Sequence, residues 1–109
     1  MPSSTVQRGN VATTILLQIN LTPAAVATVT SAEQTFTVPG ILPNDQISAV
    51  SFQGAWTTLV SIVSFRAVSA NTVGVSFANG TGGSLTPPSG VYFIEVNRAE
   101  ALPLPANAV

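Results

Sequence analysis

Seven residues of this chain carry a charge, and they set the first limit on its chemistry. They are Arg8, Glu33, Asp45, Arg66, Glu95, Arg98 and Glu100. The sequence has no histidine, cysteine or lysine, which removes the commonest general base, the thiolate nucleophile and the Schiff-base amine. A serine nucleophile would also lack its usual base. The residue types therefore predict a protein that is not an enzyme and has no catalytic residues.

The four carboxylates are the remaining groups that could work in pairs or hold a metal ion. Glycoside hydrolysis needs two acids about 5–10 Å apart, but Glu33 and Asp45 both lie beside turn residues, where carboxylates are commonly just solvated. Asp45 with Asn44 offers two adjacent oxygen ligands, whereas calcium takes about six to eight. The glycine-rich run at 80–84 lacks the lysine of a phosphate-binding loop. We expect neither a metal nor a cofactor.

Arg66 stands between Phe65 and Ala67, inside a segment of alternating apolar residues. An arginine in the middle of a strand needs a partner. We expect a structural ion pair between Arg66 and Glu95, which lies in the last predicted strand. The alternative is that Arg66 makes a contact at a subunit interface.

Trp56 lies between Gly54 and Thr57, outside any clear alternation. An exposed tryptophan at such a place would stack on a sugar ring or anchor in a pocket of a partner. It is therefore a candidate interface residue. The alternative interpretation is a lid over one end of the hydrophobic core.

Strands must position these side chains. Val, Ile and Thr make up 33 of the 109 residues, and β-branched side chains suit pleated, half-buried surfaces. Apolar residues recur with period two from Val11 to Leu21, and further strands are predicted at 25–30, 34–38, 46–52, 59–69, 73–77 and 91–98. Ser69–Thr72 predicts a hairpin turn with Asn71 left-handed. Seven or eight strands without a helical pattern predict an all-β fold, an antiparallel β-sandwich of jelly-roll or immunoglobulin-like type.

The charge content also limits the partners. Only 6% of the residues are charged, against about 25% in ordinary soluble domains. A net charge of −1 gives no basis for binding nucleic acid or an acidic membrane, and no apolar run approaches the roughly 20 residues of a membrane helix. A weakly charged surface protects poorly against association. We therefore expect a homo-oligomer, most simply a trimer.

The predicted domain spans residues 11–98, between an N-terminal arm at 1–10 and a proline-containing C-terminal arm at 99–109. Alternating prolines favour an extended, polyproline-like course, and a stiff backbone loses less entropy on docking. We expect the C-terminal arm to dock onto a partner. Its candidate interface residues are Leu102, Pro103, Leu104, Pro105 and Val109.

Two runs of strand and turn residues carry a family resemblance. The first is Thr35-Phe-Thr-Val-Pro-Gly-Ile-Leu42, followed by Asp45, Ile47, Ala49 and Val50. The second contains Ile62-Val63, Arg66-Ala-Val-Ser-Ala-Asn-Thr-Val73, Asn79, Thr81, Thr86, Pro87, Gly90 and Tyr92. Together these positions resemble a motif of small bacteriophage virion structural proteins and cover a little over half of the chain.

The resemblance implies a head decoration, or cement, protein. Such proteins are commonly small jelly-roll or immunoglobulin-like sandwiches and often trimers. The chain would then bind the major capsid protein on the outer surface of the phage head and stabilise the shell by linkage, and extended arms would multiply its contacts. The alternative is a receptor- or glycan-binding module of a phage fibre or tail, which would use Trp56 and the loop at 79–90. The motif brings no catalytic residues.

Overall fold

The structure is a computed structural model that describes residues 11–100. The elements in this range are six strands: β1 (Val11–Leu21), β2 (Thr30–Thr37), β3 (Gln46–Phe52), β4 (Val60–Ser69), β5 (Thr72–Asn79) and β6 (Gly90–Ala99). They form two three-stranded antiparallel sheets, with the strand orders β1-β6-β3 and β2-β5-β4. The all-β, two-sheet architecture predicted from the sequence is confirmed.

The number of strands differs from the prediction of seven or eight, because residues 25–30 do not form a strand of their own. The side-chain amide of Gln34 donates to the Ala24 carbonyl at 2.8 Å and accepts from the Ala24 amide at 2.7 Å. Val26 makes a single bridge with Leu85, and Val29 is left-handed, with φ 47°. A pair of side-chain hydrogen bonds and a single bridge therefore replace the ladder that the sequence pattern predicted.

The core lies between the two central strands, β5 and β6. Their inward side chains have at most 1% of their surface exposed: Val73, Val75, Phe77, Tyr92, Ile94 and Val96. Fully burying such a side chain contributes about 1.5–3 kcal/mol. The period-two pattern of these strands is the one that the sequence predicted, because alternate residues of a strand face the same side of its sheet.

The two lateral sides of the sandwich differ. On one side the backbones of β3 and β4 approach each other closely, and we call this the closed side. The other side, the open side, is bordered by β1 and β2. There the inward residues of β1, namely Ile15, Leu17 and Ile19, pack against the core but remain half-exposed.

The connections alternate between the two ends of the sandwich. The β1–β2, β3–β4 and β5–β6 connections share the distal end. The β2–β3 and β4–β5 connections lie at the opposite, terminal end, where Val11 pairs with Ala99. Asn71 in the β4–β5 hairpin is left-handed at φ 59°, as predicted. Its side-chain oxygen accepts from the Gly40 amide at 2.9 Å, which ties the hairpin to the β2–β3 connection.

Candidate functional site

An ion pair with a buried carboxylate lies at the terminal end, and the sequence analysis did not identify it. The Asp45 side chain is 2% exposed, and Arg98 Nη2 lies 2.7 Å from its Oδ2. The Leu42 amide also donates to this carboxylate, at 2.9 Å, and Arg98 donates to the Gly40 carbonyl at 2.8 Å. Asp45 therefore fastens the β2–β3 connection to the end of β6. No local spacing links Asp45 to Arg98, so the sequence carried no signal for this pair.

The surroundings of Asp45 keep it ionised. The hydrogen bond from Arg98 is the largest influence and lowers the pKa of Asp45, burial opposes this, and the Leu42 amide lowers the pKa further. Within residues 11–100 no three potential ligands among His, Cys, Asp and Glu lie close enough to hold a metal ion. The Asp45 carboxylate is thus a structural group in this arrangement.

The predicted ion pair between Arg66 and Glu95 is wrong, and Glu33 is the partner of Arg66. Arg66 Nε lies 2.8 Å from Glu33 Oε2 and Nη2 lies 2.9 Å from Oε1, a bidentate contact. Arg66 and Glu33 belong to β4 and β2 of one sheet, whereas Glu95 lies in β6 of the other sheet. The sequence shows which residues form strands, but not which strands share a sheet.

The contact between Glu33 and Arg66 crosses the central strand β5 above Gly74. Gly74 is the register partner of Arg66 on one side and of Thr35 on the other. A β-carbon at position 74 would lie 2.5 Å from Glu33 Oε2, so the pair needs a glycine there. The hydrogen bond from Arg66 lowers the pKa of Glu33. Because 62% of the Arg66 side chain is exposed, this pair is a surface contact.

Glu95 has a different role. Its carboxylate accepts a hydrogen bond from Ser48 Oγ at 2.7 Å. Ser48 lies at the β3 irregularity between Ile47 and Ala49, so this contact holds the bulge against β6.

Trp56 covers the distal part of the closed side. Its indole ring stacks on Phe77 with ring centroids 6.4 Å apart, and its edges meet Phe52 and Tyr92. The indole Nε1 donates to the Val60 carbonyl at 2.5 Å. The side chain is half-buried and borders a shallow groove of about 370 Å³ between β3 and β4. This geometry matches the lid interpretation, and a contact of Trp56 with a partner remains a prediction.

Tyr92 is the innermost member of the same aromatic cluster. Its ring lies 4.8 Å from that of Phe52, and its hydroxyl donates to the Pro88 carbonyl at 2.6 Å. Burial raises the pKa of Tyr92 to about 12. The distal loop between β5 and β6 is therefore anchored to the core at Tyr92.

Two strained and exposed residues stand out at the distal end, and sequence reasoning did not find them. Val29 precedes β2 and Leu59 precedes β4, with φ 47° and 71°. Their side chains are 73% and 69% exposed. Thr30 and Val60 both pair with Asn79 of β5, so the two residues flank that strand, roughly 10 Å apart for two strand spacings. We call Val29 and Leu59 the apolar tip.

Asn79 holds the backbone beneath the apolar tip. It is 1% exposed, and its amide donates to the carbonyls of Val26 and Gly83 at 3.0 and 2.8 Å. Its oxygen accepts from the amide and the hydroxyl of Thr81. The distal loops are therefore built around one buried side chain.

The remaining candidate interface residues, Leu102, Pro103, Leu104, Pro105 and Val109, lie outside the described residues, as does the predicted arm at 1–10. In residues 11–100 no helix is long and apolar enough to cross a bilayer. Comparisons with protein families, curated proteins and solved structures find no match to this chain.

Proposed function

We propose that this chain is a non-enzymatic structural subunit that decorates the outer surface of a bacteriophage head and stabilises the shell. The apolar tip is the observation that carries the proposal. A left-handed backbone costs about 1–2 kcal/mol for a residue with a β-carbon, and Val29 and Leu59 bury little of their side chains in return. Backbone strain of this kind clusters at functional contacts. A partner that buries both side chains would offset the strain.

The chemistry of the tip favours an apolar protein surface as its partner. Neither Val29 nor Leu59 has a charged neighbour in its own turn, since the sequence around them is Ala-Thr-Val-Thr and Thr-Thr-Leu-Val. Three of the four carboxylates, those of Glu33, Asp45 and Glu95, accept hydrogen bonds within the fold. The partner in this proposal is the major capsid protein at the outer face of the shell, and binding to the assembled shell alone would stabilise it by linkage.

The alternative, a glycan- or receptor-binding module of a fibre, has less support. It would use Trp56 as a stacking platform, but the indole is packed on Phe77 and its N–H bonds to the Val60 carbonyl. It would also use the loop at 79–90, which Asn79 and the Tyr92 hydroxyl tie to the fold by internal hydrogen bonds.

The proposal includes a homo-oligomer, with the trimer as the expected form. Its support is the exposed apolar side chains on a chain with only seven charges. Light scattering on the purified protein tests this part, and a stable monomer at micromolar concentration would contradict it.

The double variant Val29→Gly/Leu59→Gly tests the decoration role. Glycine adopts positive φ freely, so this variant should keep or raise the melting temperature while binding to heads assembled without the chain weakens at least about tenfold, the effect of about 1.4 kcal/mol. The control is Val63→Gly, which removes a side chain that is 56% exposed on β4 and should leave head binding unchanged. Undiminished binding of the double variant would overturn the proposed contact.

A further inference from the structure

The four sheet edges of the described fold differ in how they are protected against pairing with another strand. Edges are usually blunted by charges, prolines, bulges or short length. β2 carries Glu33, β4 carries Arg66 and two irregularities, and β3 has seven residues and one irregularity. β1 has eleven residues without charge, glycine or proline, and its register shifts only between Val11 and Thr13. β1 is the long, unprotected edge.

The hydrogen-bonding groups that β1 leaves free can be assigned from the neighbouring ladder. The Gln53 amide donates to the Val91 carbonyl at 3.0 Å. The backbone amides and carbonyls of Val91 and of every second residue after it therefore point toward β3. The backbone amides and carbonyls of residues 92, 94 and 96 consequently point toward β1, where these residues pair with Ile19, Leu17 and Ile15. In β1, the amides and carbonyls of the residues between these partners, including Leu16, then point to the free edge.

Both faces of this edge are apolar near its middle. The Leu16 side chain is 69% exposed on the outer face. On the inner face Ile15 and Leu17 are half-exposed at the open side. A strand added here would gain backbone hydrogen bonds and apolar contacts on each face.

We propose that residues 101–105 of a neighbouring copy of this chain add to the free edge of β1. This inference rests on the proposed assembly of the chain into an oligomer and names its contact. The segment reads Ala-Leu-Pro-Leu-Pro. In an extended strand alternate residues direct their amides to the same side, so Leu102 and Leu104 can pair with β1 while Pro103 and Pro105 face away. Prolines are found at edges in this way, where the N–H side has no partner.

The side chains match the edge in this register. Hydrogen-bonded partners share a face of the sheet, so a leucine of the segment lies beside Leu16 on the outer face. The prolines then lie on the inner face, near Ile15 and Leu17. The two prolines also leave the new edge without backbone donors at their positions, which disfavours the pairing of a further strand there.

The geometry favours a neighbouring copy over the chain's own segment. β6 ends at Ala99, which pairs with Val11, and β1 lies between β6 and the free edge. The chain's own segment would have to cross the start of β1, where residues 1–10 join it, and then run parallel to β1. The segment of a neighbour can pair antiparallel, like every strand pair of the described fold.

Cysteine crosslinking tests this contact cleanly, because the chain has no cysteine. In the full chain, Leu16→Cys/Leu104→Cys treated with a short bismaleimide should give covalent dimers and trimers on a denaturing gel. The matched control, Val63→Cys/Leu104→Cys, places the first cysteine on an exposed position of β4 and should remain uncrosslinked. An intramolecular link, equal ladders in both variants, or no link in either would overturn the proposal.

A second variant separates this contact from head binding. Leu16→Lys should raise the dissociation constant of the oligomer about tenfold or more, because lysine blunts an edge, whereas Val63→Lys should not change it. When Leu16→Cys and Leu104→Cys are added to it, the Val29→Gly/Leu59→Gly variant should crosslink to the same extent as the chain that carries only the two cysteines. If edge pairing fails while the tip variants still lose head binding, this inference is wrong and the decoration role stands.

Discussion

Along β3 and β4 the two sheets close over an aromatic cluster, whereas along β1 and β2 they leave an inner row of aliphatic side chains half-exposed. The closed side has Trp56 stacked on Phe77 and bonded to the Val60 carbonyl. On the open side, Leu17 and its neighbours pack against the core, and no residue among 11–100 covers them as Trp56 covers the closed side. We interpret the difference as two tasks: the closed side stabilises the described fold, and the open side is the surface that we propose for association.

Trp56→Ala should produce the largest loss of stability. Replacing a buried aromatic residue by alanine costs about 3–5 kcal/mol, and because Trp56 is half-buried we expect roughly 2–4 kcal/mol. Leu17→Ala, on the open side, should cost about 1–2 kcal/mol, below the usual range for a core leucine. Urea denaturation followed by circular dichroism measures both. An equal or larger loss for Leu17→Ala would show that the two sides do not differ as described.

Asp45→Asn should cause the next-largest loss of stability, and the size of this loss should depend on pH. A hydrogen bond to a charged group contributes about 1.5–3 kcal/mol, so we expect a fall in melting temperature of about 10 °C at neutral pH. The folded-state pKa of Asp45 lies below its ordinary value of 3.8. Its stabilisation is therefore complete above pH 3.8 and is lost as the pH falls through the lower, folded-state pKa.

Thermal melts of wild type and Asp45→Asn between neutral and acidic pH measure this dependence. Their difference in melting temperature should shrink in acid. A difference that stays constant with pH would assign the loss to packing and not to the charge.

Gly74→Ala should have a smaller effect, on the sheet that joins the open and closed sides. The added β-carbon would meet the Glu33 carboxylate and Val68, and overpacking typically costs about 1–3 kcal/mol. Gly80→Ala is the control, because nothing lies within 4 Å of a β-carbon there. Glu33→Gln should lower the melting temperature by less than Gly74→Ala, since the ion pair is exposed. A larger effect of Glu33→Gln would make the pair a major stabilising contact.

The ionisation of Tyr92 can be followed by ultraviolet absorbance in the protein without any substitution. It is the only tyrosine, and its pKa of about 12 lies above the ordinary value of 10. A pKa that is raised in the folded state means that stability is present below pH 10 and is lost as the pH rises toward 12. Tyrosinate absorbance should rise in one step near pH 12, or earlier if the protein unfolds first with loss of its circular dichroism signal. A step near pH 10 in the folded protein would contradict the burial of the closed side.

The sequence was informative about local structure and much less so about long-range pairing. The alternation from Val11 to Leu21 and the left-handed Asn71 hairpin follow from residue types within a few positions, and the structure confirms both. The predicted partner of Arg66 was wrong, and the Asp45–Arg98 pair was not predicted at all. Both pairs depend on which distant segments of the chain lie together. The apolar tip had no signal, since valine and leucine seldom adopt positive φ.

The copy number of this chain in purified phage particles tests the central claim most directly. Quantitative mass spectrometry of virions, calibrated against the major capsid protein, gives the ratio of the two chains. A decoration subunit should be present in numbers comparable to those of the major capsid protein and should be released when heads are stripped of their outer proteins. Absence from the particle, or only the few copies typical of a fibre or tail component, would contradict the account.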